Sequence, residues 1–175
     1  MAGIGTRIKK VASGLSAQQA ADAFVRARED SASVSPAERS KADEFEASVE
    51  AMFLMAAVDG DVSAEELAQL AASVDAFTSL EGKPAVKVDT PKMLVELNEL
   101  LSTEGWNKRL AAVAARLRDQ EARAFAFRLA AGVAFVDDHV AHAEAAALEA
   151  MASALAISAD ESQEILYDVR ETLFE

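Results

Sequence analysis

Apolar residues recur along this chain at helical spacings. Phe45, Val49, Met52, Phe53 and Ala56 fall on one face of a helix expected from Pro36 to Val58. Leu67, Leu70, Val74 and Phe77 continue the pattern after Ser63. Met93, Leu94, Leu97, Leu100 and Leu101 mark a third helix, with Asp89 or Thr90 as its cap and Pro91 at its first position. Gly105 interrupts, and Trp106, Leu110, Val113 and Leu117 begin a fourth. Phe125, Phe127, Leu129, Val133 and Val136 mark a fifth helix capped by Asp119, and Leu148, Met151 and Leu155 a sixth. Ile165, Leu166, Val169 and Leu173 close the series. No stretch alternates with a period of two, and no Asn-Gly hairpin occurs. The pattern predicts an all-α compact bundle of about seven or eight helices.

Local signals punctuate these helices. Ser35 before Pro36 is an N-cap followed by a proline in the first turn. Ser63 with Glu66, and Ser158 with Glu161, fit the capping box, in which the hydroxyl takes a backbone N–H and the glutamate reaches back. Asp59-Gly60 is a helix stop. Residues 79–90, with Gly82 and Pro84, form the main loop. At the N-terminus Ile4, Ile8, Val11 and Leu15 make one more stripe, accompanied by Arg7, Lys9 and Lys10. The expected organisation is a basic amphipathic helix over residues 1–30 and a helical domain over residues 36–175.

That domain carries an internal repeat. Asp59 matches Asp137, Val62 matches Val140 and Glu66 matches Glu144, each pair 78 residues apart. Val58 with Val136, Ala56 with Ala134 and Leu70 with Leu148 keep the same register. Each copy, about 45–77 and about 123–156, reads as helix, short acidic turn, helix.

The charge balance narrows the partners. Thirty acidic and 17 basic residues give a net charge of −13. Nucleic-acid binding requires clustered Lys and Arg to neutralise phosphates, so that class is excluded. The balance favours cations and basic protein partners. The absence of cysteine removes disulfides, thiolate metal sites and a Cys nucleophile. The best apolar run, Leu129 to Val136, is far short of the roughly 18–20 residues of a membrane span. No signal-peptide or myristoylation pattern is present, so the expected location is the cytoplasm. Residues 1–28, with Arg7, Lys9 and Lys10, suit either peripheral contact with an anionic membrane face or docking on an acidic protein surface, the chain's own included.

The two acidic turns hold the candidate chemistry. Carboxylates are hard donors suited to Ca²⁺, Mg²⁺ or Mn²⁺ more than Zn²⁺. The first copy offers Asp59, Asp61 and Glu66, and the second Asp137, Asp138 and Glu144, with His139 and His142 as additional ligands. The competing reading is helix capping, since acidic residues suit helix N-termini. Capping accounts for most of the first copy. It accounts less well for the second, where Ala141 replaces Ser63 and Asp138 replaces Gly60 while the Asp-to-Glu pair persists. Sharper motifs fail. Counted from Asp59, the EF-hand glycine and glutamate positions hold Ala64 and Leu70, and neither histidine has a glutamate three residues before it. No phosphate loop, nucleophile elbow or catalytic triad is visible.

The segment from Ala56 to Leu67, Ala-Ala-Val-Asp-Gly-Asp-Val-Ser-Ala-Glu-Glu-Leu, and its second copy from Phe135 to Glu144 resemble the tellurite-resistance TerB-like family, which includes the related N-terminal module of DjlA-type co-chaperones. The resemblance covers roughly residues 40–158. It implies an all-helical fold with internal pseudo-symmetry and a divalent metal held at Asp59, Glu66, Asp137 and Glu144. It also implies a non-enzymatic role in tellurite and other stress responses, in membrane-linked protein assemblies. The second copy departs from the pattern by lacking Gly after its first Asp, and no His-Pro-Asp tripeptide points to J-domain activity. The expectation is therefore a cation-binding interaction scaffold, with a metal-free structural adaptor as the alternative.

Overall fold

A computed structural model describes Ala23 and residues 35–58, 62–78, 90–135 and 142–174, with side chains of the second helix described through residue 72. Among the described residues there are seven helices and no strand. They are α1 (Pro36–Ala56), α2 (Ala64–Thr78), α3 (Thr90–Glu104), α4 (Trp106–Arg116), α5 (Gln120–Phe135), α6 (His142–Ala154) and α7 (Ala159–Phe174). The protein is an all-α bundle, as the periodicity predicts. The helix expected over residues 1–30 lies outside the described residues except at Ala23, which is helical and 1% exposed. The loop at 79–89 also lies outside them.

Helix starts follow the capping signals. Ser35 caps α1 with a complete capping box: its Oγ accepts from the Glu38 backbone N–H, and the Glu38 carboxylate accepts from the Ser35 N–H. At α2 and α7 the hydroxyl half forms, with Ser63 Oγ taking the Glu66 N–H and Ser158 Oγ the Glu161 N–H. The Glu161 carboxylate instead accepts from Gln120 of α5 at 3.2 Å. Asp119 Oδ1 accepts from the Ala122 N–H at 2.7 Å and caps α5. Gly105 breaks α3 from α4 at φ +87°, a left-handed conformation that only glycine adopts cheaply. Ala156 takes the same region at φ 56°. It closes α6 in a Schellman turn, with the Ile157 N–H bonded to the Ala152 carbonyl and the Ala156 N–H to the Ser153 carbonyl.

The sequence stripe understates α1. Phe45, Val49, Met52 and Phe53 are buried as expected, but so are Ala47, Ser48, Glu50, Ala51, Leu54 and Met55. A helix buried on every side is a central one, and α1 packs against α2, α3, α4, α5 and α6. Two apolar cores flank it. One gathers α1, α4, α5, α6 and α7 around Leu54, Leu117, Phe127, Met151 and Val169. The other gathers α1, α2, α3 and Ala23 around Phe45, Phe53, Leu70, Met93 and Leu97, with Leu129 of α5 reaching in. Ala56, Phe125 and Val133, expected inside, are half-buried, and Leu100 is 36% exposed where α3 runs past the second core.

Named contacts fix the directions of the helices. Trp106 Nε1 donates to the Leu54 carbonyl, Arg109 binds Glu50, and Arg116 binds Glu46 and the Asp43 carbonyl. Partner numbers fall along α1 as they rise along α4, so α4 runs antiparallel to α1. Three residues, Leu117 to Asp119, then turn the chain, and Asp119 lies against Glu44 of α1. From that level α5 covers the buried stretch of α1, residues 45 to 57, which lies on the C-terminal side of Glu44. Helices α1 and α5 therefore run side by side in the same sense, and theirs is the most extensive helix pairing among the described residues.

The helical bundle and its candidate functional end

The shared sense of α1 and α5 decides which helix ends lie together. Helix α1 ends at Ala56 and α2 begins at Ala64, while α5 ends at Phe135 and α6 begins at His142. Six or seven connecting residues reach no more than about 25 Å. Two helix C-termini and the two N-termini that follow them are thus gathered toward one end of the bundle. The helices equivalent by the 78-residue offset pack on each other. At equivalent positions Ala51 matches Leu129, Met52 matches Ala130 and Phe53 matches Ala131, every one of them at most 1% exposed, and the two members of each pair fall in different cores.

Of the residues expected to bind a cation, three are described. Glu66 lies exposed in the first turn of α2, where Ser63 accepts its backbone N–H. Glu144 lies half-buried in the first turn of α6, and His142 is the exposed first residue of that helix. Asp59, Asp61, Asp137, Asp138 and His139 lie outside the described residues, as do Arg7, Lys9 and Lys10. Among the described residues, no three His, Asp or Glu side chains come together as a metal cluster would. The described carboxylates, Glu66 and Glu144, are hard oxygen donors in the first turns of their helices.

A polar cluster that periodicity passed over lies at the α1–α4 contact. Glu50, 1% exposed, receives two hydrogen bonds from Arg109, Nε to Oε2 and Nη2 to Oε1, both at 2.7 Å. Arg109 Nη1 also reaches Glu104 Oε2 at 3.2 Å. Arg116 extends the cluster, with Nη1 3.4 Å from Glu50 Oε1 and Nη2 3.2 Å from Glu46 Oε2. Hydrogen bonding to Glu50 pushes the Arg109 pKa above its ordinary value against the opposing effect of burial. The sequence did carry a signal for this cluster. Glu50 interrupts the apolar run around Val49 and Met52, and Arg109 and Arg116 stand seven residues apart on α4.

A second polar feature sits at the α4–α5 turn. Burial raises the Glu44 pKa, and the charge and hydrogen bond of Asp119 raise it further, while Lys41 and Arg118 pull the other way. Beside it, Pro36, Arg39, Ser40, Asp43 and Arg118 line a shallow open hollow of about 350 Å³. No helix among the described residues is long and apolar enough to cross a membrane. No family model, curated protein or solved structure matches the chain.

Proposed function

We propose that this chain is a non-enzymatic, TerB-like helical scaffold that takes a divalent cation at its paired acidic turns and recruits a protein partner. The observation that supports the reading is the common direction of α1 and α5, which brings the C-terminal ends of these two helices toward one end of the bundle. Asp59, Asp61 and Glu66 would supply oxygen donors from the first copy, and Asp137, Asp138 and Glu144 from the second, with His139 and His142 at hand. Ca²⁺, Mg²⁺ and Mn²⁺ suit these donors better than Zn²⁺. The proposed setting is the cytoplasm, in a tellurite or related stress response. Calorimetric titration of chelator-stripped protein with these four ions tests the reading. Heat of binding is expected, and it is expected to vanish in Asp59→Ala with Asp137→Ala. No binding up to millimolar ion, or binding unchanged in the double variant, removes the cation.

A metal-free adaptor is the second reading, and two observations favour it. Ser63 and Glu66 already serve helix capping through the Glu66 N–H. On α7, Tyr167 is 68% and Phe174 37% exposed, seven residues apart on one helix face, with Glu164, Asp168 and Glu171 exposed around them. Arg170 is exposed between the two aromatics and Asp168 pairs with Arg128, so the face mixes aromatic, acidic and basic groups and suits an amphipathic helix carrying both charges. Under this reading the titration is silent, and Tyr167→Ala lowers partner affinity while the Asp59 and Asp137 substitutions leave it unchanged.

A further inference from the structure

The apolar contacts between α1 and α4 do not by themselves choose a register. On α4, Trp106, Leu110 and Val113, continued by Leu117 at its C-cap, follow one another at steps of four, three and four. On α1, Ala47, Ala51 and Leu54 of the same core, continued by the partly buried Val58 just past the helix end, follow the same steps, with Met55 beside Leu54. Two such ladders match again after one helix slides by a turn, roughly 5 Å. The alanines on the α1 side also offer shallow ridges that resist sliding weakly.

The buried charges do not match again. With α4 slid one way, Arg116 would move from Glu46 to Glu50, while Arg109 would face Leu54, which is fully buried and offers no carboxylate, and would keep only Glu104. Slid the other way, Arg109 would meet Glu46, and Glu50 would face the indole of Trp106 with its charge uncovered. Either slide strands a buried ion, whereas the observed register satisfies both oxygens of Glu50 with one planar guanidinium. The Trp106 N–H to the Leu54 carbonyl, at 2.8 Å, is made in the same register.

We propose that the Glu50–Arg109 pair, with Glu104 and Arg116 beside it, is a register key. Its role is to select one alignment of α4 on α1 rather than to supply most of the stability of that contact. Because only Leu117 to Asp119 separate α4 from α5, the key also sets the height at which α5 starts along α1, and so where its acidic turn leaves the bundle. The inference goes beyond the cation reading and stands without it.

The absence of cysteine makes the test direct. Spin labels on Lys41→Cys of α1 and Asn107→Cys of α4, both exposed positions, report the axial offset of the two helices by electron–electron distance measurement. With the native pair, a single narrow distance is expected. In Glu50→Met with Arg109→Met, which replaces the pair by apolar side chains of similar length, a cooperative melt and native helicity are expected. The distance distribution should broaden or split, with a component displaced by about 5 Å, one helical turn. Arg109→Lys, which keeps the charge and loses the fork, should show a smaller displaced component. A single unshifted distance in the folded apolar variant overturns the proposal. So does an apolar variant that cannot fold, because a key for register alone is replaceable without loss of the fold.

Discussion

Helix α1 is held by two neighbours in opposite ways. In the core it shares with α5, Ala47, Ala51, Leu54 and Met55 lie with Ala126, Phe127, Ala130 and Ala134, all of them nearly inaccessible to water and none able to ionise. Toward α4 it presents Glu46 and Glu50 to Arg109 and Arg116. The first contact gains from close approach and burial, and it tolerates no added volume. The second gains little net energy from its charges, because desolvation offsets most of their attraction, but it tolerates no unpaired partner. One helix thus carries a size constraint on one flank and a pairing constraint on another.

Cutting the pairing constraint should have the largest effect. Glu50→Ala leaves the Arg109 guanidinium buried with only the 3.2 Å contact to Glu104. A loss of about 3–5 kcal/mol is expected in urea unfolding, as for other broken buried pairs. A loss below about 1 kcal/mol would mean that water reaches the pair, and the contrast between the flanks would fail.

Challenging the size constraint should cost less. Ala130 is fully buried on α5, the helix most extensively paired with α1 among the described residues. Ala130→Leu should destabilise by about 1–3 kcal/mol through overpacking. The two losses should be nearly additive if the flanks are independent, and a double variant of Glu50→Ala with Ala130→Leu measures any coupling.

The smallest effect sharpens the comparison at its polar edge. Glu44 holds its proton more tightly in the folded chain than the ordinary carboxyl value of 4.5 implies, first through burial and then through Asp119. The stability it contributes is therefore present below that value and is lost as pH rises through the folded pKa. Glu44→Gln should remove this decline, so the variant gains on the native protein as pH climbs from about 4.5 toward neutrality. The gain should stay below about 1 kcal/mol, since solvent screens a partly exposed pair. Urea midpoints measured across that range check it, and parallel curves for the two proteins would rule the effect out.

The capping residues Ser35, Ser63, Asp119 and Ser158 begin helices where local chemistry places them. Those signals are readable because a cap involves residues three apart in the chain. The break at Gly105 is equally local. The Schellman turn at Ala156 was not legible, since alanine there carries none of the signal that glycine would. For the candidate site, the 78-residue repeat pointed to two equivalent acidic turns, yet the repeat is silent on whether they share an end of the bundle.

The sequence by itself determined the seven described helices, their caps and the acidic character of the two turns, because each depends on neighbours within a turn or two of the chain. Only the tertiary structure decided that the C-terminal part of α1, from Phe45 on, is enclosed on every side, that α5 runs beside it in the same sense, and that Glu50 meets Arg109 across 59 positions. Periodicity reports which face of a helix avoids water. It does not report which helix covers that face or at what height, and those are settled by long-range packing and by the requirement that every buried charge find its partner.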